Sequence, residues 1–314
     1  MKYKSIRMAA GASVALFLVS TALVHPAVAL KQKTESLSVR AVHTGKAEVV
    51  DEQHVSVTLI PEVSKMTDSD TVMVGVHMKI REGWHVYWRN PGDSGLPTRI
   101  SWDDHPLLEP GEIKWPQPAR FDEDGVTTYG YSNHVTLLVP MHVKERDRSG
   151  ETHYEHLEAD MNWLVCKDIC ISESDRITLE IDGSGNFSGF DDDARKYIRK
   201  AEESLPSLSK AWSAKTRFDG AEFVITLSPE QNDARFPDTD ELYFFPYEQG
   251  RIDHSSPQDI SREGDKLKIR MKASRYLSSA PDTIRGVVSG MQSWVRDADI
   301  KSMEIQSDVI ESLD

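Results

Sequence analysis

Cysteine is nearly absent: 314 residues hold two, Cys166 and Cys170, in the stretch "MNWLVCKDICISES". Eleven histidines are scattered, with no HxxxH and no CxxC…H grouping, so no metal-ligand motif stands out. G-x-S-x-G, a glycine-rich phosphate loop opening a helix, and H-E-x-x-H are all missing, which speaks against the hydrolase and nucleotide chemistries they serve. Basic charge is also scarce. Against 51 Asp and Glu stand 37 Lys and Arg, a net charge of -14, which argues against nucleic acid or an anionic membrane surface as a partner. Beyond the first thirty residues no run approaches the roughly 18 to 20 apolar residues that span a bilayer. Mean hydropathy is -0.48, so no stable membrane insertion is expected. There is no short-period repeat and no low-complexity tract.

The N-terminus reads as an export signal. Lys2, Lys4 and Arg7 form a positive n-region, Met8 to Val24 is apolar, and Ala27-Val28-Ala29 is a small-x-small cleavage site. Residues 1–29 are therefore expected to be a signal peptide, with a mature chain starting near Leu30 and bearing a net charge of about -17 once the three basic residues are gone. A Gram-negative periplasm is the expected destination, a compartment where disulfides form and persist.

About 285 mature residues exceed what one core usually holds. After an N-terminal extension at 30–47, a period of two dominates residues 48–182. It appears in Val55, Val57 and Leu59, in Val72 to Ile80, in Val135, Leu137 and Val139, in Leu157 to Val165, and in Ile177, Leu179 and Ile181. Such alternation marks strands with one buried face, here predicting an all-β, antiparallel sandwich. The glycine- and serine-rich "DGSGNFSG" breaks the pattern. Residues 183–206 then read as linker and helix, with Asp191 to Asp193 favouring the start, Ala194, Tyr197, Ile198, Ala201 and Leu205 at helical spacing, and Pro206 as the stop. The period of two returns in Phe223 to Leu227, Leu242 and Phe244, Leu267 to Met271, and Met303 and Ile305. That predicts a second, smaller β-domain over 207–314.

Two residues four apart in a straight strand would sit roughly 13 Å from each other, about twice what a disulfide tolerates. The chain must turn between Cys166 and Cys170, and a hairpin with Lys167-Asp168-Ile169 at its tip would set the sulfurs face to face. Three uses compete. As a structural staple, so short a loop would contribute only about 2 kcal/mol, against roughly 4.7 kcal/mol for a loop of a hundred residues. As a soft-metal site for an ion such as Cu(I), the pair could recruit Met161, His153 or His156, but the set is incomplete, and on a strand the two histidines point to opposite faces. As a redox couple, the dithiol could cycle through a mixed disulfide with a partner, needing no organic cofactor. Lys167 would favour a thiolate and Asp168 oppose it. The residues favour redox exchange, with Cys166 and Cys170 as the reactive pair.

Three segments together resemble a known family: "NWLVCKDICISES", "REGWHVYWRNPGDSGLPTRISW" (81–102) and "WPQPARFDEDGVTTYGYSNHVTLLVP" (115–140). They are similar to the N-terminal periplasmic domain of the thiol:disulfide interchange protein DsbD, closer to its ScsB-like branch, over about 45–182. The second β-domain resembles the extension that follows in ScsB-like proteins. The resemblance implies an immunoglobulin-like sandwich whose two cysteines pass electrons from a membrane-embedded thiol donor to periplasmic thioredoxin-fold proteins. It implies that Cys170 is the cysteine that bonds with the downstream partner, and that a cap loop, matched best by Phe121 to Tyr131, shields the pair. It also suggests copper or oxidative stress defence as a setting. Two departures stand out: only three residues separate the cysteines, where DsbD has a longer insert, and the membrane core and thioredoxin-like domain of DsbD are not in this sequence, so a separate membrane protein would have to supply electrons. The rival expectation is a non-enzymatic exported binding module with a structural disulfide.

Other features read as structural. Trp84, Tyr87 and Trp88 beside the turn residues Pro91, Gly92, Asp93 and Gly95 are expected to be core aromatics next to a surface loop. His85 and Asp93 lack a third group placed by spacing, so no acid/base couple is expected. Asp191 to Asp193 lack the spaced oxygen ligands of a calcium loop.

Overall fold

The computed structural model describes residues 53–66, 71–144, 155–208 and 210–311, all within one compact unit. The expected signal peptide, the extension at 30–47 and His153 lie outside the described residues.

The first β region has ten strands: β1 (Val55–Pro61), β2 (Thr71–Ile80), β3 (His85–Gly92), β4 (Arg99–Trp102), β5 (Leu108–Pro110), β6 (Ala119–Glu123), β7 (Val126–Ser132), β8 (His134–Val143), β9 (Glu155–Cys166) and β10 (Cys170–Ile181). One sheet runs β1-β2-β8-β5 and the other β10-β9-β3-β7-β6, with β4 also on β9. Every pairing is antiparallel. The alternating residues close between the sheets: Val72, Val74, Val76, Met78 and Ile80 from β2 meet Leu157, Ala159, Met161, Trp163 and Val165 from β9, all buried. This is the antiparallel sandwich that the period of two predicts, in the immunoglobulin-like form that the resemblance implies.

Helix α1 (Arg195–Glu203) follows. The acids expected at its start form the preceding turn instead. Asp191 Oδ1 accepts from the N–H of Asp193 at 2.9 Å, and the helix begins after Ala194 without a side-chain cap. The helix does more than link. Its Ile198 and Ala201 bury against Ile60 and Leu138 on the outer face of the β1-β2-β8 sheet, where Gly75 leaves room: a Cβ there would lie 3.0 Å from Ile198 Cγ1.

The second β region holds β11 (Trp212–Phe218), β12 (Glu222–Pro229), β13 (Tyr243–Pro246), β14 (Asp259–Glu263), β15 (Lys266–Lys272), β16 (Thr283–Ser289) and β17 (Ser302–Glu311), ordered β13-β16-β17-β11-β12-β15-β14. β11 and β17 run parallel and the other pairs antiparallel. Phe223, Ile225, Leu227, Leu267, Ile269 and Met271 fill its core around Trp294. At the β13–β16 edge the sheet serves two cores. Phe244 and Val288 pack inward, whereas their neighbours Phe245 and Val287 join the core of the first sandwich.

Candidate functional site

β9 and β10 form one long hairpin, twelve residues on each strand, and Cys166 and Cys170 are the last Cα partners before its three-residue tip. Their Cα atoms are 4.2 Å apart and the sulfurs are bonded. The tip is Lys167-Asp168-Ile169, closed by the N–H of Lys167 donating to the Ile169 carbonyl at 3.1 Å. Ile169 is 64% exposed. Strand pairing resumes at Cys170, earlier than the apolar alternation at Ile177, because Glu173 occupies an inward position opposite Trp163. Its buried carboxylate accepts from the backbone N–H of His54 at 2.9 Å and the indole of Trp163 at 3.2 Å, and lies 2.8 Å from His54 Nδ1. A buried carboxylate with partners on both oxygens is tolerable, and it hides the strand from a reading based on hydropathy.

The two cysteines differ in surroundings. Cys170 is exposed, but Cys166 is 2% exposed. Cys166 alternates with Val165 and so faces away from the sandwich core, where it would be wet unless something covered it. The cover comes from β3. His85 is the Cα partner of Cys166, and two residues on, on the same face, the hydroxyl of Tyr87 donates to Cys166 Sγ at 2.9 Å and sits 3.6 Å from Cys170 Sγ. Burial, with the charge of Glu123 adding to it, raises the Tyr87 phenol above its ordinary value, so it stays a donor. Burial lowers His85, against the opposing pull of Glu123, so its imidazole stays neutral near pH 7.

Two segments outside the hairpin complete the site. Gly95, at φ +107°, lets its loop close on the ring of Tyr87: a Cβ would fall 2.2 Å from Cε1. The β6–β7 hairpin, which corresponds to the expected cap segment Phe121 to Tyr131, places Phe121 flat on His85, with centroids 4.7 Å apart and planes 15° apart. Asp93 is not paired with His85; it accepts from the N–H of Thr127 at 2.9 Å. On the solvent side, an open groove of about 1050 Å³ runs beside the tip, lined by Arg81, Glu82, Trp84, Lys167, Asp168 and Ile169.

Two of the three side chains that the metal alternative could recruit lie away from the pair. Met161 points into the core and is fully buried, while His156 is exposed and lies ten positions down the strand, roughly 33 Å from Cys166. Among the described residues no group of three or more His, Cys, Asp and Glu is placed to hold a metal ion. Nor is any helix among them long and apolar enough to cross a membrane.

Residues 56–181 match the family model for the N-terminal region of the thiol:disulfide interchange protein DsbD. Over this stretch the chain is similar to a DsbD N-terminal domain. The chain is also similar to the crystal structure of the N-terminal periplasmic domain of ScsB from Proteus mirabilis, with 21% identity and a TM-score of 0.58, over 83% of this chain and 95% of that one. Coverage that wide reaches past residue 181, so the likeness in fold takes in part of the second β region. No curated protein sequence matches this chain. The family match and the bonded pair support thiol–disulfide interchange as the general chemistry, and the matched segment holds both of the chain's cysteines.

From sequence alone Tyr87 is expected among the core aromatics and His85 has no role. The available signal was "HVYW": Val86 and Trp88 supply the core face of β3, so the burial of His85 and Tyr87 on the other face requires a second cover.

Proposed function

We propose that this protein is a periplasmic thiol–disulfide electron carrier, with residues 48–182 as the exchange module and Cys166 and Cys170 as its reactive pair. The observation that carries this reading is the asymmetry of the bonded pair, one cysteine exposed at a hairpin tip and the other buried with its sulfur under a tyrosine hydroxyl. A staple explains it poorly. The β9–β10 ladder already holds the two residues in register, and closing so short a loop contributes only about 2 kcal/mol.

In the reduced protein, the thiolate of Cys170 attacks one sulfur of a partner's disulfide. That bond breaks, the partner's second sulfur leaves as a thiolate and takes up a proton, and a mixed disulfide remains. Cys166, deprotonated, then attacks Cys170 Sγ and releases the partner's first sulfur. Two electrons have moved to the partner and the pair is oxidised. Recharging reverses the order: a donor thiolate attacks Cys170 Sγ and Cys166 leaves as a thiolate that receives the Tyr87 hydrogen bond. The donor's second thiolate then attacks the donor sulfur of the mixed disulfide and releases Cys170, which leaves the donor oxidised and the pair reduced. Thioredoxin-fold proteins of the periplasm are the acceptors and a membrane-embedded dithiol protein the donor, as the family likeness suggests.

Equilibration of the purified protein with glutathione and thioredoxin redox buffers tests this. A carrier titrates within the thioredoxin-superfamily range, above about -300 mV. A pair that remains oxidised throughout defeats the proposal. Cys166→Ala should accumulate mixed disulfides through Cys170 in periplasmic extracts.

A further inference from the structure

The second β region grips the hairpin that lies beside the disulfide. Arg120 and Tyr129 are Cα partners across β6 and β7, and both meet Tyr243 of β13. The Arg120 guanidinium sits 4.8 Å from the Tyr243 ring centroid, and the Tyr129 hydroxyl is 2.9 Å from the Tyr243 hydroxyl. The same Tyr129 oxygen lies 2.9 Å from Nδ1 of His254, also of the second region. Tyr129 is fully buried there, edge-on to Phe245 at 5.0 Å.

Phe121 follows Arg120 in β6 and therefore points to the opposite face, where it stacks on His85 next to Cys166. One face of a two-stranded flap is thus anchored to the second β region while the other covers His85, the strand partner of Cys166. β6 is an edge strand, and residues 122–126 of the turn are exposed. Asp93 also ties β7, by hydrogen bonds to the backbone of Thr127. That tie leaves β6 attached through its own rung.

We propose that the second β region is a brace on this flap: Tyr243, clamping the Arg120–Tyr129 rung, sets how often Phe121 lifts from His85, and so how fast an incoming sulfur reaches the Cys166–Cys170 bond. This rests on the exchange function proposed above. Local opening of a packed segment costs the contacts it breaks, so weakening the clamp raises the open fraction without unfolding the sandwich.

The test is the rate at which dithiothreitol reduces the disulfide in the full chain, followed by maleimide gel shift. Tyr243→Phe, which keeps the ring and loses the hydroxyl, should speed reduction by about two- to tenfold, the weight of one hydrogen bond. Tyr243→Ala should speed it further. Phe121→Ala should also accelerate reduction, and in that background Tyr243→Phe should add nothing. Wild-type rates in Tyr243→Phe, or a gain that persists in full without Phe121, overturn the brace. Thermal melts followed by circular dichroism check that each variant is folded, and faster amide exchange over residues 119–132 must accompany faster reduction. Because the readout needs only a small reductant, a pair that no protein partner reduces would defeat the exchange function and still leave this result interpretable.

Discussion

Tyr87 and Cys166, 79 positions apart in the chain, meet hydroxyl to sulfur at 2.9 Å. A phenol kept protonated by burial is a fixed donor, and a hydrogen bond to a charged acceptor is worth roughly 1.5 to 3 kcal/mol. Its acceptor is worth most when Cys166 is a thiolate, which ties the bond to the reduced state. Tyr87→Phe should therefore raise the Cys166 thiol pKa by about one to two units. At a pH above that pKa it should move the reduction potential about 30 to 60 mV more negative, at 30 mV per 1.4 kcal/mol. Thiolate absorbance titrations and glutathione equilibria measure the two quantities. An unchanged thiol pKa would remove Tyr87 from the site.

The burial difference between the two cysteines makes a separate forecast. Cys166→Ser leaves Cys170 free at the exposed tip, and Cys170→Ser leaves Cys166 at 2% exposure under Tyr87. Iodoacetamide should modify the first variant roughly tenfold faster than the second or more, since access as well as thiolate character limits alkylation. Phe121→Ala should narrow the gap. Equal rates would mean that Cys166 is open to solvent, and that either sulfur can take the first attack.

The strands legible in the sequence are those with an unbroken apolar alternation. β9 announces itself because Leu, Ala, Met, Trp and Val recur at every second position over twelve residues, and so does β2 from Val72 to Ile80, although helix α1 covers its other face at Gly75. β3 does not, since His85, Val86, Tyr87 and Trp88 are all buried. The first half of β10 is masked by Glu173, an inward carboxylate whose partners are His54 and Trp163. β13 shows half of its logic: Leu242 and Phe244 mark the second core, but nothing local says that Phe245 belongs to the first. The hairpin tip could be derived from the reach of four residues and the length limit of a disulfide. The cover over Cys166 could not, because Tyr87, Phe121 and Gly95 come from separate segments that only the tertiary fold brings together.

Three buried histidines and the half-buried His77 set the acid limit of stability. His77 falls from 6.5 to about 4 through burial, then repulsion from His134 and Lys79. Burial also lowers His85, His105 and His254, although carboxylates oppose it at each: Glu123 at His85, Glu155 and Asp104 at His105, and Asp93 and Asp253 at His254. All four stay neutral when folded and take up protons readily when unfolded. Their contribution is thus complete above about pH 6.5 and is lost as pH falls from there through the folded values, near 4 for His77. Asp253, held at about 2 chiefly by Lys272, acts lower: its contribution fades only below the ordinary carboxylate pKa. Urea midpoints should fall steadily between pH 6.5 and about 4. In His77→Gln the unfolding step at pH 5 should take up about one proton fewer. A flat profile across that window would show that the buried rings stay accessible to protons.

Helix α1 has nine residues, too few to hold together in water without packing. Its stability must come from one face, where Ile198 and Ala201 lie against Ile60 and Leu138 over the gap left by Gly75. Tyr197 adds a ring contact with His77 at 4.1 Å. Ile198 is 1% exposed, so Ile198→Ala empties a closed site and should cost about 2 to 4 kcal/mol of unfolding free energy. Gly75→Val should approach that loss by the opposite route, since its Cβ alone would sit 2.9 Å from Thr136 Cγ2. The helix covers the sheet opposite to the one that bears the cysteines, so both variants should leave the dithiothreitol reduction rate at the wild-type value while the chain is folded. Denaturant titration paired with that rate separates the two effects. A change in rate at full folding would mean that the sandwich transmits strain from one sheet to the other, and that the site is less independent of its scaffold than the hairpin geometry implies.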